Sequence, residues 1–179
     1  MKQIKLIFVL SFMFCLFGCA TKKNMGEYFQ PSNHLVENNQ YARLYFYFPN
    51  HGLPTGEKGP SIFANEHEVV QLPNATYTET YVQPGTYRIH TLDRTETFAH
   101  LYENHELTAT FLPGESYYIA FLTKVTHHSH AYRVGNGTVT PVSISKAYEA
   151  ELVMLSEAQA YSGISLCHFV KPMKRIVRK

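Results

Sequence analysis

The stretch HHSH at residues 127–130 is the densest cluster of metal-ligating side chains in a chain that holds ten histidines. On an extended segment alternate residues share one side, so His128 and His130 are the pair that could hold a Zn²⁺ or Cu²⁺ ion. Spacing names no third ligand, and a hairpin flank in a His-rich chain explains the same residues. Hydrolytic chemistry has less to work with. Asp93 is the single aspartate, and no G-x-S-x-G elbow is present to expose a nucleophilic serine. Glu149 and Glu151, read as helical, do not converge at a spacing of two, and Glu66 and Glu68 fall on a solvent-facing hairpin. There is no phosphate-binding loop, dinucleotide fingerprint or C-x-x-C pair. The expectation is a non-enzymatic protein with no catalytic residue and no cofactor.

Tyrosine offers a different chemistry. The chain has 13 Tyr and no Trp. Tyr45, Tyr47, Tyr77 and Tyr81 fall at alternating positions and could line one exposed sheet face. Such a face can stack on sugars, including those of peptidoglycan, or receive a partner protein. Tyr is also a good strand residue, which accounts for the same pattern as scaffold. Cys167 is the third candidate for an interface. Either it bridges to another chain or it is a buried thiol, and flanking Leu166, Phe169 and Val170 favour burial.

The start of the chain carries its own chemistry. Lys2 and Lys5 precede an apolar run at 6–17, too short for a bilayer span of ~20 residues and suited to a secretory signal. Leu16-Phe17-Gly18-Cys19 resembles the lipobox of bacterial lipoproteins. That resemblance implies cleavage between Gly18 and Cys19 and lipidation of Cys19. Acyl chains contribute ~0.8 kcal/mol per buried methylene, so several chains hold a protein on the membrane almost permanently. Ala20 follows the cysteine, where the family's sorting rule reads Asp as inner-membrane retention. The outer membrane is therefore the expected address, with the domain facing the periplasm. An ordinary secretory signal or a buried N-terminal helix is the competing reading.

Residues 19–40 read as a lipidated tether. Once Lys2 and Lys5 are removed with the signal, 14 bases balance 14 acids. Five of those bases lie in the last nine residues, KPMKRIVRK, so the body carries about five net negative charges. Residues 163–179 then form a basic C-terminal tail, able to meet acidic headgroups or to remain solvated. No basic stripe crosses a folded face, which argues against nucleic acid.

The elements between are mostly strands. Residues 41–48, YARLYFYF, alternate Ala42, Leu44, Phe46 and Phe48 against Tyr41, Arg43, Tyr45 and Tyr47, predicting one core face and one amphipathic face. Proline and glycine make 49–60 a loop. Short strands at 61–64 and 68–72 flank Asn65, which tolerates a left-handed turn. Strands follow at 76–82, 87–92, 106–112 and 117–125, then a hairpin at Gly135-Asn136-Gly137. Pro84-Gly85 and Pro113-Gly114 suit turns that need positive φ at glycine. Residues 146–160 read as the one strong helix, capped by Ser145 and stopped by Gly163. Residues 41–162 thus predict a mostly β domain, an antiparallel sandwich of about seven to nine short strands with one C-terminal helix packed on it.

The phrases VQPGTYRI and FLPGESYYIAF share a Pro-Gly turn feeding a strand with alternating Tyr and Ile. Similar geometry occurs in transthyretin-like and PEGA-like sandwiches. Together with ARLYFYFP at 42–49, the stretches NATYTETYVQPGTYRI at 74–89 and LTATFLPGESYYIAF at 107–121 resemble the DUF2846-type lipoproteins of Gram-negative bacteria. Phe48 and Glu66 depart from that family's pattern. The resemblance implies a compact β domain on a lipid anchor and brings no activity, cofactor or catalytic residue. With the open edges of a sandwich, it leads to the expectation of an accessory subunit in a cell-envelope complex, with a ligand- or peptidoglycan-binding lipoprotein as the alternative.

Overall fold

The computed structural model of the chain describes residues 26–30, 40–50, 59–92, 105–135, 138–173 and 176–177. The side chains of 125–148 and 176 lie outside that description. Strand β1 (Ala42–Phe48) is central. It pairs antiparallel with β4 (Thr76–Val82) and parallel with β7 (Ser116–Gly135), and β7 pairs antiparallel with β8 (Thr138–Leu155). Two short strands, β9 (His168–Phe169) and β10 (Ile176–Val177), run parallel along the other side of β4. This is the first, mixed sheet. The second is antiparallel, in the order β3 (His67–Gln71), β2 (Ser61–Ala64), β5 (Gly85–Leu92), β6 (Glu106–Phe111).

The two sheets enclose the main core. Leu44, Phe46 and Phe48 of β1 meet Ile62, Tyr87, Ile89 and Phe111 of the second sheet, all essentially inaccessible. The alternating β1 residues predicted to face inward do so. The outer face of the second sheet is polar and solvated, with exposed Thr86, Arg88, Glu106, Thr108 and Thr110. The architecture is therefore a β-sandwich, with one helix among the described residues, as the sequence predicts.

The helix is not where its sequence signal lies. Residues 146–155, expected to open a helix over 146–160, belong to β8, and Ser145 pairs with Ser129 instead of capping. The physical reason is tertiary. Ala and Glu favour a helix, but Ala150 and Leu152 also alternate with Glu149 and Glu151, and pairing with β7 buries Leu152 and half-buries Ala150 against the core. The helix α1 is Glu157–Ile164, shorter and later. Its cap is Ser156: the Gln159 N–H donates to Ser156 Oγ, and the Ser156 N–H donates to Gln159 Oε1. Gly163, expected as a stop, sits inside α1, where an added Cβ would lie 3.1 Å from a Tyr47 ring carbon.

Both Pro-Gly sites are corners where the chain crosses between sheets, β4 to β5 and β6 to β7. They meet at one end of the sandwich, because Gly85 pairs with Phe111 and the Gly114 N–H donates to Tyr41 O. Gly85 has φ 141° and Gly114 φ 78°, the region a Cβ disfavours. Asn65 takes its expected left-handed conformation at φ 51°. Substituting Gly85→Val should lower stability by about 1–3 kcal/mol, read as a lower denaturation midpoint. An unchanged midpoint would show that the corner accommodates a side chain freely.

Candidate functional site

Four alternating tyrosines make the outer face of the first sheet the place to look for function. The register sets Arg43 opposite Tyr81, Tyr45 opposite Glu79 and Tyr47 opposite Tyr77, and places Tyr118 of β7 beside Tyr45. The expected alternation is present. Its exposure is not: Tyr45 is 3% and Tyr47 2% accessible, while Tyr77 and Tyr81 are half-buried. An open face built on Tyr45 and Tyr47, for sugar or partner, is thus ruled out by what lies over it.

Three pieces cover that face. Helix α1 contributes Ala160 and Ile164, the following turn contributes Cys167, and residues 26–30 contribute Phe29. Phe29 stands edge-on to Tyr45 at 5.5 Å and to Tyr77 at 5.3 Å. Its backbone N–H donates to Cys167 O at 3.1 Å, and the Phe169 N–H donates to Glu27 O at 2.9 Å. Residues 26–30, expected within a tether, are one more strand-like layer on β9.

Cys167 is fully buried, with its thiol 3.4 Å from Gly163 O and 3.7 Å from Phe48 O. Burial pushes this thiol up to about 12. It is not placed to bridge to a second chain. Of the segment expected as a basic C-terminal tail, 163–179, the described residues begin inside α1 and return along β4. The Val170 N–H donates to Tyr77 O, Thr78 Oγ1 donates to Val170 O, and Val177 is buried.

One end of the tyrosine face is ionic. Arg43 is 3% accessible, a guanidinium inside a sheet. Its Nη1 donates to Tyr45 Oη at 3.1 Å, and its Nε lies 3.4 Å from Glu79 Oε1. Tyr81 donates to the same carboxylate oxygen at 2.6 Å, and its ring lies 5.6 Å from the guanidinium carbon. Burial works against the Arg43 charge. The hydrogen bond to Tyr45 and the nearby Glu79 outweigh it, and the net effect raises its pKa. Tyr45 stacks on Tyr118 at 5.0 Å, whose pKa is raised by burial and then by the Glu157 charge at the start of α1. Arg43, Glu79, Tyr118 and Phe29 are not among the candidates derived from sequence. A usable signal exists for two of them: Arg43 is the only charge in YARLYFYF, and Glu79 the only charge in TYTETYV.

His128 and His130 lie on β7, where the register pairs them with Lys146 and Ile144, neither a metal-ligating type. Their side chains fall outside the described residues, as do Gly18 and Cys19 altogether. Among the described residues no group of three or more His, Cys, Asp or Glu is placed to hold a metal ion. An open cleft of about 440 Å³ lies where β7 and β8 leave the sandwich, lined by Leu122, Thr123, Lys124, Glu149, Ala150 and Glu151. Among the described residues no helix is long and apolar enough to cross a bilayer. Compared with known proteins, the chain matches no family model, no curated protein and no solved structure.

Two outcomes follow from the ionic end and the buried hydroxyls. Glu79→Gln should cost about 2–3 kcal/mol, because it leaves a buried guanidinium without its carboxylate. Combining it with Arg43→Met should recover part of that loss in a double-mutant cycle; strict additivity would mean the two residues do not interact. Alkaline stability is the second outcome. Burial raises Cys167 to about 12, Tyr47 to about 12 and Tyr81 to about 12. Above the unfolded values of roughly 8.5 for Cys and 10 for Tyr, the folded state then holds more protons than the unfolded one, so stability falls as pH rises toward 12. Tyrosinate absorbance should appear at higher pH in native than in guanidinium-denatured protein. Coincident titrations would contradict the burial.

Proposed function

We propose that this protein is a non-enzymatic lipoprotein, anchored to the outer membrane through Cys19, whose domain serves in the periplasm as a structural or accessory subunit of a cell-envelope complex. The anchor rests on Leu16-Phe17-Gly18-Cys19 after a short apolar run, and the outer-membrane address rests on Ala20. Kinship with the DUF2846-type lipoproteins belongs to the same proposal. Its three stretches form β1, β4 with most of β5, and β6 with the start of β7, the walls of one core.

One observation carries the accessory role, the length of the β7–β8 hairpin. Strand β7 pairs with β1 only as far as Ala120, yet it continues to Gly135 with β8 alone. Phe121 and Leu152 still belong to the core, so the extension begins near the exposed Lys124 and Glu149. From there roughly 35 Å of two-stranded ribbon continues past the end of β1. No strand pairs with the outer edge of β8 among the described residues. An unpaired edge accepts a partner strand by backbone hydrogen bonds. A β-rich envelope protein is the kind of partner such an edge suits. Because α1 and Phe29 cover Tyr45 and Tyr47, the ribbon is favoured over the tyrosine face, and a partner over peptidoglycan.

A photo-crosslinking residue at Ser129 or Ser143 should form a discrete protein adduct in intact envelopes, and one at exposed Thr108 should not. Equal labelling at all three positions, or none at the ribbon, would overturn the accessory role. Loss of membrane association in Cys19→Ser, with the sandwich still folded, is the expected control result.

A further inference from the structure

The docked segment 26–30 changes how far the domain can stand from its anchor. Were residues 19–40 a free tether, the domain could drift roughly 75 Å from the lipid at full extension. Only six residues, 20–25, separate Cys19 from Gly26. That link reaches at most roughly 25 Å at full extension. Undocking the strap would expose the buried Phe29 ring and lose its contacts with Tyr45 and Tyr77.

The strap also fixes which side of the domain the anchor leaves from. It runs antiparallel to β9: Tyr28 bridges to His168, the Phe29 N–H donates to Cys167 O, and the Phe169 N–H donates to Glu27 O. His168 Nδ1 donates to Gly26 O at 3.0 Å. The chain toward Cys19 therefore departs beside Phe169, two residues before Lys171.

The surface at that exit has the composition of a membrane interface. Tyr28 is 57% accessible and lies over the His168 ring at 4.1 Å. Leu166 is 67% accessible, the next residue but one to His168. Lys171 is exposed close to the exit, and Lys22 and Lys23 lie in the sequence of the link itself; the described residues of the basic stretch after it lead away along β4 to Val82. Glu27 is the one acid on the strap. Tyrosine prefers the headgroup level of a bilayer, and bases next to an anionic surface are drawn to it.

We propose that the surface formed by Tyr28, Leu166 and Lys171 rests on an anionic lipid bilayer, and that the strap holds the domain there. The inference depends on lipidation at Cys19. The opposite end of β4, where Val82 leads to the Pro-Gly corners and Leu112, then lies roughly 20 Å further from the lipid.

The chain has no Trp, so one substitution creates a single reporter. The full-length lipidated protein would carry Tyr28→Trp, Leu166→Trp or, as the distal control, Leu112→Trp. Each would be reconstituted into phosphatidylethanolamine–phosphatidylglycerol vesicles containing lipid with brominated acyl chains. Fluorescence from positions 28 and 166 should be quenched several-fold more than from position 112. Lys171→Glu should weaken that quenching, and so should a flexible Gly-Ser insertion between Cys19 and Gly26. Intact mass reads lipidation separately. An unmodified Cys19 would remove the lipoprotein reading and this inference with it. A lipidated protein with equal quenching at 28, 166 and 112, or with quenching unaffected by the insertion, would overturn the membrane-resting surface alone.

Discussion

Strand β1 has no face left for water. All seven residues from Ala42 to Phe48 are 3% accessible or less. A sheet strand with side chains on both sides can reach that state only if both faces of its sheet are covered and both edges are paired. The rest of the molecule supplies those covers. The second sheet closes one face; α1, Cys167 and Phe29 close the other; β4 and β7 take the edges. Even Arg43 is drawn into the interior, and it is tolerable there because Glu79, Tyr45 and Tyr81 surround the guanidinium.

This two-sided burial explains why residues 26–30 and the described residues after α1 return to the sheet. A sandwich of two sheets alone would leave Tyr45, Tyr47, Tyr77 and Tyr118 as a continuous aromatic surface. The segments before β1 and after α1 close it together, since residues 27–29 bond to 167–169 and those bond to β4. Residues 26–30 are thereby part of the fold. The proposed membrane-resting surface and the proposed ribbon then sit on different parts of one molecule. The first is beside β9 and the second extends beyond the core from β7 and β8. A domain held against the lipid while presenting a strand edge is a coherent arrangement for an accessory subunit.

Much of the sandwich was legible where period and turn chemistry agreed. In β1, Leu44, Phe46 and Phe48 alternate as core residues. Asn65 and the two Pro-Gly corners mark turns through backbone preferences that act locally. Residues 146–155 were not legible, because Ala, Glu and Leu there satisfy a helical period and a strand period at once. Ser156 and Gln159 formed a true capping box, but the stronger helix-forming residues upstream masked it. The tyrosine positions were legible as a row and misread as open, since nothing local reveals that Phe29, Ala160 and Ile164 pack over them. Arg43 and Glu79 were each visible as lone charges in β-prone runs. Their partnership depended on a register that neither run contains.

By itself the sequence determined what short-range physics determines: strands from alternation, corners from Pro-Gly, and a mostly β sandwich with, among the described residues, one helix. Only the tertiary structure decided which face of β1 was free, and the answer was neither. It also decided that 146–155 is strand, that Cys167 is enclosed, and that 26–30 is a strap. Each of these is set by contacts between segments distant in the chain. The free energy of such contacts depends on what lies opposite in three dimensions and leaves no periodic trace in the local sequence.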